Sequence, residues 1–129
     1  CLFEIDGEWF NSVEGFIQAI KFPEDHINRA FGTMSFGIDA KKLGATAERK
    51  YVWWNGRQID YGSDEHHRLI ARAILAKFEQ NTEKMKALML TGDEEITHDL
   101  GEPEDPETSL PAELFCKILM EIRKLYQTE

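Results

Sequence analysis

The sequence predicts a single α+β domain that is mainly helical, and three observations lead there. The chain has 129 residues, 42% of them hydrophobic and 30% charged, a size and balance that suit one buried core. Apolar residues recur at three-and-four spacing in several separate segments, the pattern of helices with one inward face. One segment, YVWWNGRQIDY at 51–61, places β-branched and aromatic residues on both sides of Asn55-Gly56, the dipeptide preferred in a type I′ hairpin turn. Residues 1–129 are therefore read as one domain, with a small β element made of an N-terminal strand and the 51–61 hairpin.

In chain order, LFEIDGEWF at 2–10 alternates loosely around Asp6-Gly7, which predicts a short hairpin or a strand followed by a turn. A helix starts near Asn11 or Ser12, turns Val13, Phe16, Ile17 and Ile20 to one side, and ends at Pro23. HINRAF predicts a second short helix closed by Gly32, and DAKKL a third closed by Gly44. After the hairpin, Ser63 or Asp64 caps a long helix that runs to about Gln80, with Leu69, Ile70, Ala73, Ile74 and Phe78 inward. Thr82 opens another helix that Gly92 stops. Ser109 is expected to cap the last helix, which admits Pro111 in its first turn and presents Leu114, Phe115, Ile118, Leu119, Ile122 and Leu125.

The formal charge of −9 and a pI near 4.9 repel a phosphate backbone, so extended nucleic-acid binding is not expected, while small anionic ligands remain open. No apolar run approaches the roughly 20 residues of a membrane helix. The chain opens on Cys1 without a secretory pattern, which suggests a trimmed start or a fragment. Cys1 and Cys116 form neither a disulfide framework nor a metal-ligand spacing, and a reducing cytoplasm is the expected compartment. The acidic stretch from Asp93 to Glu107, interrupted by Pro103 and Pro106, reads as a solvated loop.

Three groups of residues carry candidate chemistry. Glu14, Gln18 and Lys21 fall at i, i+4 and i+7, which puts a carboxylate, an amide and an ammonium in one stripe beside the buried face of the first helix. Such a stripe can line a ligand site, the lysine reading a phosphate. The alternative is local: Asn11 followed by Glu14 is a capping-box pattern, and an acid in the first turn favours the helix dipole. Trp53, Trp54 and Tyr61 offer a stacking platform, although strand alternation sends one tryptophan into the core. His98 and Asp99, at the start of the acidic loop, are candidates for proton transfer. His66 and His67 are adjacent and so cannot share a metal as an i, i+4 pair does; both read as surface residues of a first helical turn. Cys116 reads as a small core thiol. The chain has no P-loop, dinucleotide fingerprint or nucleophile elbow, so neither cofactor nor metal is expected.

Taken in order, DGEWFNSVEGFIQAIKF, AKKLG, RAILAKFEQN, ALMLTGDEEI and ILMEIRKLY resemble the NADAR (YbiA-like) family. The resemblance implies a compact, mostly helical fold and N-glycosidase activity on an ADP-ribose-like substrate, either an ADP-ribosylated base such as guanine or an amino-ribose intermediate of riboflavin synthesis. A toxin partner is also implied. By position the family's helical glutamate, glutamine and lysine become Glu14, Gln18 and Lys21, and Glu113 stands where the family carries an asparagine. Glu14 would stabilise the oxocarbenium ion or orient water, His98 or Asp99 would protonate the leaving base, and Trp54 or Tyr61 would stack on the substrate. The other implied outcome is a binding or partner-blocking module that keeps the pocket without catalysis.

Overall fold

The computed structural model describes residues 2–34, 45, 47, 49–97, 104, 105 and 108–127. The expected DAKKL helix, its Gly44 stop, Cys1, His98 and Asp99 lie outside the described residues. Within them the chain forms two antiparallel hairpins and five helices. Strands β1 (Phe3–Ile5) and β2 (Glu8–Phe10) pair with Phe3 opposite Phe10. Helices α1 (Val13–Ala19) and α2 (Ile27–Met34) follow. Strands β3 (Tyr51–Trp54) and β4 (Arg57–Asp60) form the second hairpin, with Trp54 opposite Arg57. The long α3 (Asp64–Gln80), then α4 (Thr82–Leu90) and α5 (Ala112–Gln127), complete the fold. The mainly helical α+β class read from the sequence is the one observed.

Both hairpins turn on a pair with positive φ, Asp6-Gly7 (51° and 87°) and Asn55-Gly56 (51° and 74°), the conformation type I′ turns require. The Asp6 carboxylate also joins the two turns. One oxygen accepts from Trp54 Nε1 at 2.8 Å and Asn55 Nδ2 at 3.2 Å, and the other from Arg72 Nη2 at 2.8 Å. The hydrogen bond from Trp54, followed by that from Arg72, holds the Asp6 carboxyl below its ordinary pKa.

Phe3, Phe10, Phe16 and Trp54 build an aromatic centre, with Phe10 edge-on to Phe16 at 5.0 Å and Phe16 edge-on to Trp54 at 5.4 Å between centroids. Ile70, Ala73 and Ile74 close it from α3 and Ile118 and Ile122 from α5. The inward faces of the long helices are thus those their periodicity predicts, and Cys116 is buried. Leu125, expected on the same face, is 55% exposed, while its neighbour Tyr126 packs against the core in that turn.

Two local expectations change. Gly32 lies inside α2 and does not stop it. A Cβ there would stand 2.7 Å from the Cβ of Ala19, so this glycine permits α1 and α2 to touch. Ser109 does not cap α5: its hydroxyl is bonded to Tyr61 Oη at 2.8 Å, and the Ala112 amide donates instead to Glu104 Oε2 at 2.7 Å.

Arg29 ties the first half of the chain together. Only 2% exposed, it donates through Nε and Nη2 to the two oxygens of Glu8, both at 3.2 Å. Its Nη1 donates to the carbonyls of Phe22 at 2.9 Å and Trp53 at 3.0 Å, and the guanidinium lies 5.4 Å from the Trp54 ring centroid. The backbone amide of Trp53 meanwhile donates to Ile20 O at 2.8 Å. Replacing Arg29 by methionine leaves two buried carbonyls and Glu8 without their donor, and is expected to cost about 3–5 kcal/mol of unfolding free energy. Urea denaturation measures it; a loss under about 1 kcal/mol would mean that Arg29 is only a surface-like pair.

Candidate functional site

The phase of α1 is set at its start. Ser12, with extended φ −159° and ψ 159°, is the N-cap, and its Oγ accepts the Gly15 amide at 2.8 Å. Asn11 has a different task, since its amide donates to Thr33 O and its Nδ2 to Met34 O, each at 3.0 Å. Glu14 therefore does not close a capping box on Asn11. Its Oε1 accepts from Gln18 Nε2 at 3.0 Å, one turn along the stripe.

That stripe forms one wall of a cavity of about 680 Å³. Glu14, Gln18 and Lys21 line it together with Tyr61, Arg49 and Lys77, while Ile74, Phe78, Phe115 and Leu119 provide an apolar side. Four sequence-stripe and hairpin candidates, Glu14, Gln18, Lys21 and Tyr61, thus meet in a single space. Trp54 does not join them. It is 5% exposed and bonded to Asp6, because strand alternation turns it to the core and turns Trp53 outward. Glu113 is exposed on α5 and does not line the cavity, although its neighbour Ala112 does.

Two polar groups in the wall lack protein partners among the described residues. Gln18 is 8% exposed, and its Oε1 is buried with no hydrogen bond; the contact to the Glu14 carboxylate requires the other amide atom to be the donor, which fixes this orientation. Lys21 is 7% exposed and makes no ion pair among the described residues. Burial is the main cause that lowers its pKa, Arg49 adds to it, and Glu14 and Asp105 oppose it. Arg49 is paired with Asp105 at 2.7 Å, and Lys77 is also lowered by burial and by Lys84. The wall therefore holds a desolvated cation beside an unsatisfied acceptor, an arrangement that a small ligand with both acidic and hydroxyl groups would complete.

Arg49, Lys77 and Ser109 are lining residues that sequence reasoning missed. Arg49 belongs to no periodic segment, Lys77 looks like an ordinary basic residue in a last turn, and Ser109 carries the signature of a cap. No local signal separates them from structural residues.

His66 is also not where the sequence puts it. It is fully buried behind Tyr61, with ring centroids 5.0 Å apart, because the tight turn at Gly62 folds the start of α3 back onto that ring. Its Nδ1 accepts the Gly62 amide at 2.9 Å, so Nε2 carries the proton, and this buried nitrogen has no hydrogen-bond partner among the described residues. Burial, then the charges of His67 and Lys21, lower its pKa from 6.5 to about 4.

The unfolded chain therefore takes up a proton below 6.5 while the folded one resists until about 4. Stability from the neutral imidazole is complete above the higher value and lost as pH falls through the lower, a swing of up to about 3 kcal/mol. In His66→Gln, whose amide oxygen can still accept from Gly62, the fall in unfolding free energy between about pH 7 and about pH 4.5 should be shallower than in the parent by roughly 2 kcal/mol. Equal slopes in urea titrations would contradict it.

Among the described residues no group of three or more His, Cys, Asp or Glu could hold a metal ion, and no helix is long and apolar enough to cross a membrane. The family model of bacteriophage protein GP30.3 matches residues 1–124. No curated protein and no solved structure matches the chain. The match overturns the resemblance to NADAR proteins, and the expectations drawn from it, ADP-ribose chemistry, riboflavin intermediates and a toxin partner, lose the family support they had. Most of the segments behind the resemblance, such as RAILAKFEQN and ILMEIRKLY, are amphipathic patterns that any helix facing a core displays. The chain belongs to the family of bacteriophage protein GP30.3.

Proposed function

We propose that the protein binds a small phosphorylated, hydroxyl-bearing molecule of the sugar-phosphate class in the cavity along α1. The observation that carries this reading is the pairing of Lys21, buried and without an ion pair among the described residues, with the unsatisfied Gln18 Oε1 in the same wall. A phosphate supplies the missing counter-charge, and a sugar hydroxyl supplies the donor that Gln18 lacks. Arg49 stands in reach of the same anion, its charge shared with Asp105. A volume of about 680 Å³ lies within the range of small-molecule sites.

A second reading gives Glu14 a reactive role. Among the described residues its Oε2 accepts no hydrogen bond, so the carboxylate keeps an acceptor for water or for positive charge developing on a sugar carbon. Hydrolysis of a glycosidic C–N bond would use both: water adds its oxygen to the sugar carbon, and the base leaves with a proton. This reading rests on the position of Glu14 alone.

Lys21→Met separates a ligand lysine from a structural one. Binding of ribose 5-phosphate, followed by calorimetry, should weaken by at least about tenfold while the melting temperature rises, since a desolvated charge without a partner is removed. A lower melting temperature with affinity unchanged would overturn the proposal. Glu14→Gln keeps the shape of the side chain. If Glu14 is reactive, release of base from a nucleotide falls by about 100-fold or more with binding retained; absence of any released base from the parent protein removes the second reading and leaves the first.

A further inference from the structure

A second, smaller cavity of about 230 Å³ lies across Lys21 from the first. Phe22, Pro23, Tyr51 and Trp53 line it, with Lys50 and Lys21 as its polar members, and Lys21 is the residue it shares with the larger cavity. Tyr51 and Trp53 point to the same face of β3, two residues apart, with rings 6.3 Å apart at 64°. Its volume is below the about 300 Å³ of a typical whole-ligand site, which suits one planar ring of a larger molecule.

We infer that this aromatic chamber takes the heteroaromatic ring of the same molecule whose phosphate is held at Lys21, so that the ligand class is a nucleotide. The inference rests on the sugar-phosphate reading of the larger cavity and adds the base to it. Three features carry it. The walls are aromatic and aliphatic ring surfaces, which stack on any planar heterocycle. The chamber adjoins the phosphate-reading cation, so ring and phosphate need only the length of one sugar between them. Its charged members are both cationic, with Lys50 Nζ 5.6 Å from the Tyr51 centroid. Aromatic pockets also take quaternary ammonium groups, but two lysines repel those and favour a ring rich in lone pairs, such as a nucleobase.

The test compares guanosine and adenosine 5′-monophosphates with ribose 5-phosphate by calorimetry on the parent protein and on Trp53→Ala, Tyr51→Ala and Trp53→Phe. At least one nucleotide should bind roughly tenfold or more tightly than the sugar phosphate, as expected for one stacked base. Trp53→Ala and Tyr51→Ala should each cut that advantage and leave ribose 5-phosphate affinity unchanged, while Trp53→Phe keeps most of it. Thermal melts identify any variant that fails to fold, and the other two then decide. Equal affinities for nucleotide and sugar phosphate, or an advantage that survives both alanine variants, would overturn the aromatic chamber while sparing the larger cavity. If neither class of compound binds, both readings fall together.

Discussion

The buried guanidinium of Arg29 is the constraint on which the first half of this fold depends. A guanidinium carries its donors on one rigid plane, and they need acceptors when removed from water; here four hydrogen bonds reach three separate acceptor groups, with an aromatic face beside them. The Glu8 carboxylate belongs to β2, the Phe22 carbonyl to the end of the α1 segment, the Trp53 carbonyl to β3, and the face of Trp54 lies alongside. Each of these pieces is too short to be stable alone: the strands have three or four residues and α1 has seven. An isolated hairpin or helix of that length does not persist in water, so the shared cation and the aromatic centre behind it supply the order that the elements lack.

The candidate site inherits its geometry from that arrangement. Ser12 fixes where α1 begins, and Gly32 lets α2 press on its opposite side at Ala19. With one side of α1 held by α2 and its apolar face in the core, the stripe of Glu14, Gln18 and Lys21 is left toward the cavity beside α3 and α5. The lysine is buried in a protein of net charge −9, and its protonation is still depressed because burial strips its hydration and Arg49 repels it, which together outweigh the opposing pull of Glu14 and Asp105. Local arrangement outweighs the global sign of charge, which matters for a protein proposed to collect an anion.

Much of the fold was legible because periodicity and turn chemistry are local. Asn55-Gly56, Ser63, Gly92 and the inward residues of α3 act within a few positions of themselves, and the structure uses them as their chemistry suggests. The site was legible only where it lay on one helix. What failed to show was long-range. Ser109 looks like a cap until Tyr61, 48 residues away, takes its hydroxyl. His66 looks like a surface residue until the Gly62 turn packs it behind an aromatic ring. The choice between Trp53 and Trp54 depended on strand phase, which a hairpin motif does not fix without knowing which face is covered. The family resemblance failed for a related reason: amphipathic helices share patterns across unrelated folds, and patterns that bury a core say little about a site.

The hydrogen bond from the Trp53 amide to Ile20 O has a consequence for selectivity. It clamps the strand that bears one ring-facing residue to the helix end that precedes Lys21, and Arg29 reinforces the clamp from below. The two chambers are therefore marks on a fixed ruler, and a molecule that occupies both is chosen by the length of the spacer between its ring and its charge, whatever functional groups it carries at either end.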